Sequence, residues 1–198
     1  QPLTVLLGSQ ERADVFNSPS PMTATTPSPS GKRAMTIRIG INGFGRIGRN
    51  ILRAGWSNDD FKFVHVNDLS SSEMLAYLLQ HDSIHGRWHD VTAQESSFTV
   101  ADQHVSTSSY KRPDEIPWGE LGVDVVLECT GVFRSVDQAS LHLKSGAKRV
   151  IISAPSGEKE SSFVYGVNHE KLVRAHQKVI SNASCTTNCL APVADVLL

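Results

Sequence analysis

Residues 36–49 read TIRIGINGFGRIGR, and the fold follows from this stretch. Thr36–Ile41 is short and rich in β-branched residues, as a strand requires. Gly43, Gly45 and Gly48 come next at the spacing G-x-G-x-x-G. From Arg46 to Trp56 the apolar residues Ile47, Ile51, Leu52 and Ala54 fall at helical intervals. A strand, a glycine turn and a helix in that order build a phosphate cradle. Gly43 permits the tight turn, Gly45 lets the backbone approach a pyrophosphate, and Gly48 lets the helix lie close on the strand. Free N–H groups and the positive end of the helix dipole then face the anion. Asp68 closes the next predicted strand, Phe61–Val66, 20 residues beyond Gly48. A carboxylate there accepts hydrogen bonds from an adenosine ribose and repels a 2′-phosphate, so the expected cofactor is NAD rather than NADP.

Outward from this unit, strands and helices alternate. Ser70–Gln80 reads as a helix with a Ser70/Glu73 capping box and an apolar side of Met74, Leu75, Tyr77, Leu78 and Leu79. Phe98–Val100 and His104–Ser106 read as a small hairpin. Val123–Leu127 is a near-continuous apolar run, expected of a strand buried on both faces of a parallel sheet. Ser135–Lys144 reads as a helix, Arg149–Ser153 as a strand, Ser162–Gly166 as a further short strand and Lys178–Ser181 as the last. The alternation predicts an α/β, Rossmann-like, doubly wound parallel sheet.

Residues 1–34 differ in kind. Asn17–Ser30 (NSPSPMTATTPSPS) has nothing to form an apolar face, so residues 1–34 are expected to be a disordered leader. A Ser/Thr-rich transit tail is weakened by Glu11 and Asp14, an upstream extension explains the segment equally, and Met35 is the expected start of the functional protein. The chain has 198 residues, 39% hydrophobic and 20% charged, with 19 basic against 20 acidic side chains. That balance argues against a nucleic-acid partner, and no apolar run reaches the roughly 18–20 residues of a membrane helix. Three Cys, an odd number, suit reduced thiols and a cytoplasmic location. His81, His85 and His89 recur every four residues, but Asp82, Ser83 and Gly86 interrupt any helix, so they read as loop histidines and no metal is expected.

Ser181–Pro192 reads SNASCTTNCLAP, small polar residues ahead of the apolar run Leu190–Leu198. A helix beginning near Ser184 puts Cys185 in its first turn, where the dipole favours a thiolate. Such a thiolate, flanked by hydroxyls and backbone N–H groups, suits nucleophilic attack on a carbonyl. Cys129 and Cys189 are expected to be packing residues.

These segments together resemble the phosphorylating glyceraldehyde-3-phosphate dehydrogenase family. INGFGRIGR (Ile41–Arg49), Asn67-Asp68, HDSIHG (His81–Gly86), ECTGVF (Glu128–Phe133), GAKRVIISAPS (Gly146–Ser156), GVNHE (Gly166–Glu170) and SNASCTTNCLAP match it in order and spacing from Met35 to Leu198. The erythrose-4-phosphate dehydrogenases share the cysteine motif, but ISAPS with GVNHE is more similar to the glyceraldehyde enzymes. The resemblance implies that Arg46 and Ile47 meet the pyrophosphate and that Asp68 binds the adenosine ribose. Lys111 stands where the family commonly has Arg beside the adenine half, with Arg112 as the alternative. Thr130, Gly131 and Phe133 are implied to line the dinucleotide groove, and Ser153 to approach the nicotinamide. Cys185 is implied to be the nucleophile, flanked by the substrate-binding Ser184 and Thr186, with Thr186 contacting glyceraldehyde 3-phosphate or inorganic phosphate.

The implied domains are an NAD-binding domain over 35–184 and the start of a catalytic domain over 185–198. The family places its catalytic His, its phosphate-gripping Arg and its homotetramer contacts largely beyond these motifs. The expectation is therefore an NAD-dependent, phosphorylating aldehyde dehydrogenase as the intact protein. Against it stands a chain that, as given, binds NAD without turnover.

Overall fold

The computed structural model describes residues 36–173 and 176–198; the leader expected over 1–34 and the start expected at Met35 lie outside the described residues. At the centre of the sheet is β1 (Ile37–Asn42), whose last four residues are buried. It pairs in parallel with β2 (Phe61–Asn67) on one side and with β8 (Val125–Glu128) on the other. Beyond β2 lies β7 (Gln103–Ser108), also parallel; beyond β8 lie β9 (Arg149–Ile152) and β10 (Val179–Ser181), parallel again. Taken in chain order, these six parallel strands stand as 3-2-1-4-5-6, the order of a doubly wound dinucleotide-binding sheet. The direction of winding reverses between β1 and β8.

The hairpin expected over Phe98–Val100 and His104–Ser106 is present, and it belongs to the edge of this same sheet. β6 (Ser97–Val100) is antiparallel to β7, and β5 (Val91–Gln94) is antiparallel to β6. Thus β7 is both a hairpin arm and the third parallel strand. A second, two-residue pairing joins β3 (His81–Asp82) to β4 (Gly86–Arg87).

Helix α1 (Arg46–Gly55) buries Gly48, Leu52 and Gly55. Ile47, one of the apolar residues at helical spacing, is 49% exposed. The two glycines explain this: without side chains on that face, the helix comes close enough for Gly48 to meet Ile41 and Gly55 to meet Phe63. Helix α2 (Ser72–Gln80) buries Leu75, Ala76 and Leu79, leaving Met74 and Tyr77 outside. Its cap is Ser71, not Ser70; Ser71 Oγ accepts the Met74 N–H at 3.4 Å, whereas the Ser70 N–H is tied to Asp68 Oδ1.

The helix expected over Ser135–Lys144 is two short ones, α3 (Val136–Ala139) and α4 (Leu141–Lys144). Ser140 separates them, its hydroxyl bonding back to the Val136 carbonyl at 2.7 Å, a local competitor of the helical ladder. Ser162–Gly166 is not a strand: only Ser162 bridges to Ser181, because the Val164 N–H turns to Asn168 Oδ1. α5 (Cys185–Leu197) begins as expected, with Ser184 as its cap.

On one face of the sheet Ile116, Trp118, Val123, Val126, Val150 and Ile152 form a buried cluster. All four residues of β8 are buried, as its apolar run requires. Among the described residues no helix is long and apolar enough to cross a membrane.

Candidate functional site

All six parallel strands direct their carboxyl ends to one edge, and at the β1/β8 reversal the loops leave in opposite directions. A groove of about 540 Å³ opens there. Gly43, Gly45, Asp68, Lys111, Thr130 and Phe133 of the expected set line it, joined by Asn42, Asn67, Leu69, Tyr110, Cys129 and Val132.

The glycine turn has the geometry its spacing predicts. Gly43 has φ +88°, and a Cβ on it would stand 2.6 Å from the Thr130 backbone nitrogen. A Cβ on Gly48 would collide with the Gly43 carbonyl oxygen, whereas Gly45 faces open space. Gly45 is also the cap of α1 and has no side chain with which to cap it. The N–H groups of the first turn therefore have no capping side chain; Arg46 and Ile47 beside them are exposed and stand outside the groove lining, Arg46 bordering a neighbouring cavity with Arg49 and Tyr77. Arg49 braces the turn from behind, donating from Nη1 to the Phe44 carbonyl at 3.0 Å.

Asp68 ties the far wall to this turn. Its Oδ2 accepts the Phe44 N–H at 2.7 Å and its Oδ1 the Ser70 N–H at 2.9 Å. Each carboxylate oxygen thus keeps one lone pair for another donor. Lys111 lines the groove, while Arg112 is turned to Asp114, its Nη2 2.8 Å from Oδ2. Gly131 takes φ +75° between Thr130 and Val132. Ser153, just past β9, donates its N–H to the Glu128 carbonyl at 3.0 Å, and its side chain neighbours the Cys129 thiol. Burial pushes that thiol up to about 12, so Cys129 is an inert wall residue.

Beneath the groove lies a buried polar chain that sequence reading missed. Asn67 Nδ2 donates to Asn42 Oδ1 at 2.9 Å, and Asn42 Nδ2 to Glu128 Oε2 at 2.6 Å. His142 Nε2 stands 2.8 Å from the same Glu128 oxygen, and Trp118 Nε1 donates to His142 Nδ1 at 2.9 Å. Glu128 Oε1 accepts from both the N–H and the hydroxyl of Thr130. The only sequence signal was Glu128 ending an otherwise apolar run.

Cys185 occupies the first turn of α5, on the same edge of the sheet. Its loop is built by strand ends: the Asn182 N–H donates to the Ile152 carbonyl at 2.9 Å, and Ser181 Oγ accepts the Ala183 N–H at 3.0 Å. Ala183 takes φ +56°, which swings the chain into the helix. Ser184 Oγ accepts the Thr187 N–H at 2.9 Å, and Asn188 Nδ2 donates to the Asn182 and Ser184 carbonyls. Cys185 itself is exposed. Its polar side-chain neighbour among the described residues is the Thr186 hydroxyl, 4.0 Å from Sγ. Cys189, expected to pack, is exposed too. His81, His85 and His89 are exposed, with His81 stacked on Tyr77 and His89 against Trp88.

The sequence model of one protein family, "Glyceraldehyde 3-phosphate dehydrogenase, NAD binding domain", matches residues 37–136. The chain is 52% identical over 167 residues to a glyceraldehyde-3-phosphate dehydrogenase of Pseudomonas aeruginosa, covering 82% of this chain and 50% of that protein. It is 52% identical over 168 residues to a plasmid-encoded glyceraldehyde-3-phosphate dehydrogenase of Cupriavidus necator, with 82% and 50% covered. Against glyceraldehyde-3-phosphate dehydrogenase 1 of Bacillus subtilis the identity is 48% over 164 residues, with 82% and 49% covered. The chain therefore spans about half the length of these relatives.

Proposed function

Because this chain belongs to the glyceraldehyde-3-phosphate dehydrogenase family and carries its NAD-binding domain, we propose that the whole protein converts glyceraldehyde 3-phosphate, NAD and inorganic phosphate to 1,3-bisphosphoglycerate and NADH. The supporting observation is the shared edge: the groove at the β1/β8 reversal and the helix-capped Cys185 both rise from the carboxyl ends of one parallel sheet. On this reading residues 35–184 form the NAD-binding domain and 185–198 open a catalytic one, in a cytoplasmic homotetramer.

The groove residues fit a dinucleotide. The uncapped first turn of α1, with Gly43, Gly45, Arg46 and Ile47, would hold the pyrophosphate, and Gly48 sets the closeness of helix to strand. Asp68 has lone pairs free for ribose hydroxyls, Lys111 would sit by the adenine, and Thr130, Gly131 and Phe133 would form the wall. Ser153 would flank the nicotinamide side. When bound, NAD supplies a hydride acceptor.

The chain's own contribution to the chemistry is sulfur. The Cys185 thiolate would add to the aldehyde carbon, with Ser184 and Thr186 flanking the adduct. After oxidation the acyl group remains on sulfur as a thioester, until a phosphate oxygen attacks and returns the thiolate.

A second reading, binding of NAD without turnover by the chain as it stands, is favoured by the surroundings of Cys185. Its sulfur has a threonine hydroxyl as polar neighbour and no histidine in hydrogen-bond range among the described residues. A general base is worth ~10²–10⁴ in rate. Calorimetry with NAD and an assay of aldehyde-dependent NADH formation separate the two. Turnover lost on Cys185→Ser supports the first reading, binding without turnover supports the second, and absence of NAD binding overturns both.

A further inference from the structure

Glu128 is buried to 1% exposure at the end of β8, directly under the groove, and its partners are Asn42, Thr130 and His142. Trp118 Nε1 can only donate, so His142 Nδ1 accepts and Nε2 carries the ring proton aimed at Glu128 Oε2. Oε2 also receives Asn42 Nδ2, and Oε1 receives both donors of Thr130. Four donors meet four lone-pair positions, so every acceptor site of the carboxylate is used and its orientation has no freedom. Two of those donor residues line the groove: Asn42, the last residue of β1, and Thr130, two residues past the end of β8, the strands between which the sheet reverses.

We propose that Glu128 is a positioning residue for the dinucleotide: it touches no ligand, but fixes Asn42 and Thr130 on opposite lips of the groove in the arrangement that receives NAD. The inference rests on reading this groove as the NAD site. His142 and Trp118 serve Glu128 in turn, holding its inner oxygen from below.

A glutamine at 128 has the same shape but cannot satisfy the site. If its NH₂ faces Thr130 it meets the Thr130 N–H; if it faces inward it meets Asn42 Nδ2 and the His142 N–H. Either way donors oppose donors and one lip moves. Ser135→Ala, which removes the cap of the short helix after β8 and touches neither the groove lining nor the buried chain, is the control for lost stability.

NAD binding by calorimetry, far-UV circular dichroism and Tm are measured on the full chain and both variants. Failure of the wild-type chain to bind NAD overturns the reading of the groove itself. Given binding, Glu128→Gln is expected to weaken NAD roughly tenfold or more while the fold persists. Ser135→Ala is expected to stay within about twofold of wild type even where its Tm falls. Wild-type affinity in Glu128→Gln, or loss of affinity in step with Tm in both variants, overturns the proposal. Should Glu128→Gln fail to fold, Thr130→Val and Thr130→Ser replace it. Weakened binding by the valine variant, with the serine variant close to wild type, supports positioning; a valine variant that binds NAD normally refutes it.

Discussion

Gly43 joins three requirements at one residue: a left-handed φ, contact with the Thr130 backbone and entry to the groove. An alanine there must move the chain or strain it. Gly43→Ala is therefore expected to cost at least ~2 kcal/mol of stability and to weaken NAD binding, read by denaturant unfolding and calorimetry. His65 makes a different statement about the same sheet. It is buried between Ser106, Ser108 and the edge of Trp118, and burial lowers it from its ordinary 6.5 to about 4. Between those values the unfolded chain binds more protons than the native one, so stability falls as pH falls. The loss from this residue is roughly 3 kcal/mol between pH 6.5 and about 4. His65→Gln, which does not titrate, should show a flatter dependence of Tm on pH across that window. Gly43 was legible in its motif; the neutral state of His65 was not, because no pattern in the sequence tells which histidine a neighbouring strand will cover.

Among elements, the short α3 is the most dependent on its terminus. Four residues provide little helical hydrogen bonding, and Ser135 with Gln138 forms a full capping box at its start. Ser135→Ala is expected to cost about 1 kcal/mol, lowering Tm by ~3 °C in thermal unfolding and leaving NAD affinity unchanged. The boundaries that sequence misjudged share a cause. Ser70, Ser140 and Val164 each spend a backbone or side-chain group on a local partner, Asp68, Val136 or Asn168, that apolar spacing does not reveal. α1 shows the complementary case. Its apolar residues mark helical spacing correctly, yet its buried face is the one bearing Gly48 and Gly55, because close packing on β1 and β2 needs absent side chains rather than large ones.

For the molecule as a whole, α5 is the unusual surface. None of its residues is buried, and Leu190, Val193, Val196 and Leu197 are 56–86% exposed. Apolar surface of this extent drives association, so the chain as given should form concentration-dependent oligomers in light scattering. A monomer that persists at high concentration would contradict this. The sequence by itself determined the strand–turn–helix cradle, the cap before Cys185 and the parallel α/β class. Each of these arises from steric and hydrogen-bonding demands among residues close together in the chain. Only the tertiary structure decided that Asn42, Glu128, His142 and Trp118 stand in one buried chain beneath the groove. Asn42 and Glu128 are 86 residues apart, and what joins them is the parallel pairing of β1 with β8. The crossover connections set that pairing, which brings distant polar residues together with no periodic signal to announce it.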